Sequence, residues 1–255
     1  IRQLGNTTAA SLNVGLITTD RIGGYDVNNS FLTLKPNGTL ALVANNDIKF
    51  GVEADGTASL AANNLSTGDI HLGLGGSGLT YNVVSFENGT DPVATGLNRN
   101  VAGIVNQARA GDIVVSMPVA SSGNTLNINA AVYGTAGGAE NNDIVFDMAG
   151  NDLIQAYNQY ITAADGDALF FVKNFDIGRV YAEQGTVYIE HSGDVSDIND
   201  APEGGPTVNI TADGMMAYAT GAGVFGLNDG IETDINKTQF KAFGDVNIVN
   251  YGDLT

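Results

Sequence analysis

The sequence predicts an all-β chain coiled as a solenoid, with β-sandwich-like stacked sheets as the alternative. Three observations point there. Short apolar-alternating runs, each bounded by Gly, Asn or Asp, follow one another along nearly the whole chain. One tripeptide type recurs: Gly or Asn, then Asp, then an apolar residue that opens a run. Finally, 34 glycines and no cysteine or tryptophan in 255 residues suit a chain with many tight corners and no disulfide staples.

The first hundred residues carry most of the early runs: Ser11–Thr18, Phe31–Leu34, Thr39–Ala44, Ile48–Val52, Thr57–Ala61, Ile70–Leu74 and Leu79–Phe86. Pro36-Asn37-Gly38 between two of them predicts a hairpin or tight corner, because Asn and Gly accept positive φ. At Asn98–Ala110 the pattern changes: Val101, Ile104, Val105 and Ala108 fall on one face of a short helix. Strand patterns resume at Asp112–Met117, Thr125–Tyr133 and Asp143–Met148. A second helical pattern covers Asp152–Ala164, with Leu153, Ile154, Tyr157, Tyr160 and Ile161 on one side and Asn151 as N-cap. These two helices are expected as insertions covering a sheet face or a solenoid end.

Gly166–Val195 is the clearest unit. It holds the runs Ala168–Val172, Arg179–Ala182 and Thr186–Glu190; Val180, Ala182, Val187 and Ile189 alternate with polar or aromatic neighbours and should be buried. Thr207–Thr211, Met215–Ala219, Gly223–Leu227, Thr238–Phe243 and Val246–Val249 complete the strands. A single β-rich domain over residues 1–255 is expected, with a weak boundary near 197–206. The ends, Ile1-Arg2-Gln3 without Met or signal pattern and Asp253-Leu254-Thr255, suggest a processed protein or a segment of a longer one.

The tripeptide places Asp at 47, 69, 112, 143, 167, 194, 245 and 253, at gaps of 22, 43, 31, 24, 27, 51 and 8 residues. Several gaps lie near one or two turns of a solenoid of roughly 20–25 residues per coil. Gly or Asn takes the corner, Asp caps it through its side chain, and the next residue enters the core.

GDIHLGLGG, GDIVVSMPV, NDIVFDMAG, GRVYAEQGTVYIEHSGDV and VNITADGMMAYATGAGVFGLNDG resemble strand-and-turn units in the passengers of bacterial surface proteins. The resemblance is to filamentous haemagglutinin-type exoproteins and autotransporter adhesins. It implies a right-handed parallel β-helix, secretion across an outer membrane, and a role in adhesion or surface structure. The two helical patterns and the uneven spacing depart from a plain shaft.

Charge narrows the partners. Asp and Glu outnumber Lys and Arg 28 to 10, giving a net charge of −18 that repels phosphate backbones, so nucleic acid is not expected. No apolar run is long enough for a membrane-spanning helix. The absent cysteines exclude a thiolate zinc site and a cysteine nucleophile. His71 and His191 both read as outward-facing strand residues; no Gly-x-Ser-x-Gly elbow or Walker motif occurs, and Gly73–Gly78 reads as a turn.

The acid pairs Asp143/Asp147, Asp165/Asp167 and Glu232/Asp234 admit a polysaccharide-acting enzyme as a third reading. The densest oxygen cluster, Asp194, Asp197, Asn199 and Asp200, is a calcium candidate, although its spacing matches no EF-hand. Asn-x-Ser/Thr sequons stand at Asn6, Asn28, Asn37, Asn64, Asn88, Asn209 and Asn236, and Asn-Gly-Thr also serves as turn chemistry. The expectation is a non-enzymatic, extracellular or cell-surface scaffold whose partners are proteins, glycans or copies of itself. The alternative is a self-assembling S-layer, sheath or filament subunit.

Overall fold

The computed structural model describes residues 31–44, 47–64, 68–88, 111–134, 142–157, 159–199, 207–227 and 229–254, together with four short strands before residue 25. Every element among them is a strand, and the strands pair in parallel into one continuous array of 24. The chain is a parallel β-helix.

Its coils follow in order. The first holds β1 (Arg2–Gln3), β2 (Thr7–Ala9) and β3 (Leu12–Gly15); the next holds β4 (Ile22–Gly24), β5 (Leu32–Leu34) and β6 (Gly38–Ala44). Two coils of two long strands come after: β7 (Ile48–Ala54) with β8 (Thr57–Asn64), then β9 (Ile70–Leu74) with β10 (Thr80–Asn88). From there each coil has three strands. One holds β11 (Ile113–Ser116), β12 (Thr125–Ile128) and β13 (Val132–Gly134); its successor holds β14 (Ile144–Asp147), β15 (Asp152–Gln155) and β16 (Tyr160–Ala163). Then come β17 (Ala168–Val172), β18 (Phe175–Ile177) and β19 (Arg179–His191), which runs on into the following coil. The last coils use β20 (Val195–Asp197), β21 (Ile210–Ala219), β22 (Phe225–Leu227), β23 (Ile231–Lys241) and β24 (Ile248–Asn250).

The change from two strands to three per coil happens on β10. Its first half stacks on β12 and its second on β13, and its own register against β8 shifts between Val83 and Ser85. A bulge of that kind bends a strand and lets one long face become two shorter ones.

Stacking repeats one residue position from coil to coil, so the core is a set of columns. One column runs Ile48, Ile70, Ile113, Ile144, Ala168, Val187 and Met215. The neighbouring inward column runs Phe50, Leu72, Val115, Phe146, Phe170, Ile189, Ala217 and Phe240. A third, from the adjacent face, runs Tyr81, Leu126, Leu153, Phe175, Val195 and Phe225. All but Phe240, which is partly buried, are buried. Each fully buried Leu, Ile or Phe contributes roughly 1.5–3 kcal/mol. Phe146 and Phe170 stack with centroids 5.7 Å apart and planes at 3°, and Phe170 meets Phe175 at 4.7 Å.

The predicted burial of Val180, Ala182, Val187 and Ile189 is observed at 0% exposure each. Their two expected strands form a single one, β19, whose register against β21 shifts between Ala182 and Thr186 where the chain rounds a corner. Likewise Thr207–Thr211 and Met215–Ala219 merge into β21, and Pro36-Asn37 forms a corner between β5 and β6 with Asn37 at φ 60°.

The helix expected over Asp152–Ala164 is not there. The segment is β15 and β16, with Leu153 stacked between Leu126 and Phe175 and Ile161 between Val132 and Val180. Tyr157 and Tyr160, assigned to the buried helical face, are exposed. Stacking across coils satisfies the backbone and buries these apolar residues together, and it outweighs a local 3.6-residue pattern. Asn151 is not a helix cap but a buried corner amide. The other helical pattern, Asn98–Ala110, lies outside the described residues, as does 200–206 of the suggested boundary; β18–β20 and β19–β21 pair in parallel on either side of that segment.

Candidate functional site

Five of the recurring Asp residues, 47, 69, 112, 143 and 167, form a ladder down one corner. Asp47 Oδ1 accepts a hydrogen bond from the backbone N–H of Asp69, and Asp69 Oδ1 from that of Asp112, each at 3.3 Å. Asp112 Oδ1 accepts from Asp143 N–H at 3.1 Å, Asp143 Oδ1 from Asp167 N–H at 2.9 Å, and Asp167 Oδ1 from Thr186 N–H at 2.6 Å. The glycines before Asp112, Asp167 and Thr186 are required by their neighbours: a Cβ on Gly111 would sit 2.4 Å from Asp69 Oδ1, one on Gly166 2.3 Å from the Asn142 carbonyl oxygen, and one on Gly185 2.1 Å from that of Gly166. The tripeptide is therefore stacking chemistry repeated coil after coil.

A second ladder borders a shallow groove of about 240 Å³ lined by Asp152, Ile154, Asn174, Asp176, Asp194 and Leu227, among others. Asn174 Nδ2 donates to Asp152 Oδ1 at 2.8 Å, and Asn174 Oδ1 accepts from Asp194 N–H at 2.9 Å. Asp194 Oδ1 in turn accepts from Val224 N–H at 2.9 Å, while Asp176 Oδ1 accepts from the Ser196 hydroxyl at 2.9 Å. Lys173 Nζ stands 3.9 Å from Asp152 Oδ1. The groove collects three carboxylates on adjacent coils, yet each commits an oxygen to holding a coil or a side chain in place.

Of the predicted calcium ligands, Asp194 lines this groove. Asp197 and Asn199 belong to the next corner. Asp197 Oδ1 accepts from Asn199 N–H and from Asn209 Nδ2, both at 2.6 Å, and Asn199 is buried. Asp200 lies outside the described residues. Among the described residues no three His, Asp or Glu side chains converge as a cation site.

The acid pairs separate in the same way. Glu232 is buried and Asp234 exposed, so they share no face. Asp143 and Asp167 are ladder members, and Asp165 Oδ1 accepts from Asn142 Nδ2 at 3.1 Å.

The two histidines differ from each other. His191 faces inward, a correction to its expected outward placement: it is buried beside Phe225, and its Nδ1 donates to the Gly193 carbonyl at 2.6 Å. His71 lies on the outer side of its strand between Lys49 and Val114, with Nε2 2.9 Å from the Ser116 hydroxyl. Burial, and then the Lys49 ammonium, lower its pKa below 6.5 against the opposing pull of Asp69.

Sequence reasoning missed the inner amide corner posts. Asn124 Oδ1 accepts from Leu79 N–H and Asn151 Oδ1 from Asn124 N–H, both at 2.9 Å. Gln155 Oε1 accepts from Gly178 N–H, and Asn209 Oδ1 from Glu232 N–H, also at 2.9 Å. All four amides are buried. Their only sequence signal is an Asn or Gln beside an apolar run, which turns also produce. Asn209, which opens a sequon, is one of these posts.

No protein-family model, curated protein or solved structure matches this chain.

Proposed function

We propose that the chain is a non-enzymatic extracellular scaffold, a β-helical shaft that presents loops for attachment to protein or glycan surfaces. The observation that carries this reading is the constancy of register across insertions. Ile70 stacks directly on Ile113 although 43 residues separate them, and Ile113 stacks on Ile144 across 31. Later steps in the same column, Ile144 to Ala168 and Ala168 to Val187, take 24 and 19 residues. The core register thus holds between coils of very different length, as a rigid scaffold that carries variable contact segments requires. The net charge of −18 favours solubility of such a shaft and disfavours anionic surfaces as partners.

The test replaces residues 89–110, and separately 135–141, by short Gly-Ser linkers and measures adhesion of the purified chain to cell layers and immobilised glycans. Loss of binding with unchanged β-sheet circular dichroism supports the reading. Full binding by both shortened chains would sink it.

A further inference from the structure

One column on the side of the shaft has a gap in it. Register places Glu87, Tyr133, Thr162, Tyr181, Thr211 and Asp234 one above another on successive coils. Tyr133 and Tyr181 carry rings, and the threonine between them does not. A cavity of about 220 Å³ opens there, lined among the described residues by Tyr133, Thr162, Ala163, Ala164, Tyr181 and Glu183. Elsewhere rings on adjacent coils meet directly, as Phe146 does with Phe170 and Phe171 with Tyr188.

Tyr181 is held in place beside this gap. Tyr160 stacks on it with centroids 5.8 Å apart, and Arg179 lies over the Tyr160 ring at 5.3 Å. Arg179 Nη1 also donates to the Tyr160 hydroxyl at 2.9 Å, so this cation is committed to Tyr160 rather than to the cavity.

Spacing and charge select the occupant. Neighbouring coils lie about 4.8 Å apart, so the midpoint between Tyr133 and Tyr181, two coils from each other, is about 4.8 Å from either rung. A cation is attracted to a tyrosine ring within about 6 Å of its centroid. The shaft already makes that contact elsewhere, with Arg179 5.3 Å from the Tyr160 centroid and Lys241 Nζ 4.2 Å from that of Tyr218. Charge agrees: Glu183 is exposed at the cavity, the column from Glu87 to Asp234 contains acids and no base, and the net charge is −18.

We propose that this cavity binds a quaternary ammonium group of the choline type, held between Tyr133 and Tyr181 with the Glu183 carboxylate balancing its charge. The methyl groups suit the tyrosine and alanine lining, and the charge suits the carboxylate. The site lies on the shaft itself and does not depend on whether the loops attach to a surface.

Calorimetric titration of the full chain with choline tests the site, beside a neutral isostere in which a tert-butyl group replaces the trimethylammonium. Choline should bind at least about tenfold more tightly, because only the cation gains the ring and carboxylate attraction. Thr162→Phe puts a ring into the gap and should abolish choline binding with unchanged circular dichroism. Tyr133→Ala should weaken binding by about tenfold, and Tyr133→Phe, which keeps the ring, should retain it. Glu183→Gln should weaken binding and flatten its salt dependence. Phosphocholine identifies the source: weaker binding than choline assigns the free compound, tighter binding a phosphorylated headgroup, and either keeps the site. No choline binding, equal binding of the isostere, or undiminished binding by Thr162→Phe would each overturn the proposal.

Discussion

Asp143 Oδ1 receives the backbone N–H of Asp167 at 2.9 Å, one coil further along, while Asp143's own N–H is received by Asp112 at 3.1 Å. Asp69, Asp112, Asp143 and Asp167 are thus each both cap and capped. The column converts a repeated tripeptide into a physical link between coils.

Removing one link tests its worth. Asp143→Ala should cost about 0.5–2 kcal/mol, the range for losing a side-chain cap on a backbone N–H. Asp143→Asn, whose carbonyl oxygen can still accept, should restore most of it. Urea unfolding of the three proteins checks this, and equal midpoints for Ala and Asn would contradict the ladder's role.

The glycines should divide by cause. Gly185→Ala would drive a Cβ to 2.1 Å from the Gly166 carbonyl oxygen and should destabilise by about 1–3 kcal/mol through overpacking. Gly150→Ala meets nothing within 4 Å but sits at φ +77°, so only the left-handed strain of about 1–2 kcal/mol applies. D-alanine at the two positions, introduced by ligation, separates them: it should relieve position 150 and not position 185.

Tyr81 is wholly buried, donates its hydroxyl to the Gly75 carbonyl at 2.7 Å and accepts from Ala54 N–H at 3.0 Å. Burial raises its pKa far above the ordinary phenol value. Tyr81→Phe keeps the ring but leaves a buried donor and acceptor without that partner, a loss of about 1–3 kcal/mol. Thermal melts of the variant, with near-ultraviolet circular dichroism to confirm packing, measure it.

His71 makes stability depend on pH. Its pKa is lowered in the fold, so the unfolded chain binds the proton more readily. Stability is therefore undiminished above the unfolded value of 6.5 and falls as pH drops through it, until the folded-state value is passed. His71→Gln should flatten the part of the urea midpoint that changes between pH 7.5 and 5.5. An unchanged slope would assign that dependence to other groups.

Local sequence carried the strands wherever alternation and a corner signal coincided. Ile70–Leu74 and Ala168–Val172 have the predicted limits, and the inward set of β19 is as expected. It failed where a coil has very short strands, with or without a Gly-Asp corner before them. Phe175–Ile177 and Val195–Asp197 are three residues each, too short for a period to register. The acidic cluster after Val195 was legible as composition only. The directions of its oxygens, Asp194 toward Val224 and Asp197 toward Asn199 and Asn209, depend on which coil lies next to it.

By itself the sequence pointed to a stack of β coils, with stacked sheets as the alternative, because Gly or Asn followed by Asp recurs along the chain as a strand-opening corner. It also determined which residues of those strands face inward, because alternation is a local property of an extended backbone. Only the tertiary structure decided that residues 152–164 are two strands. Leu153 and Ile161 gain their burial from Leu126, Phe175, Val132 and Val180 in adjacent coils, contacts that no window of one coil contains. The same holds for the amide posts, since a column exists only between coils.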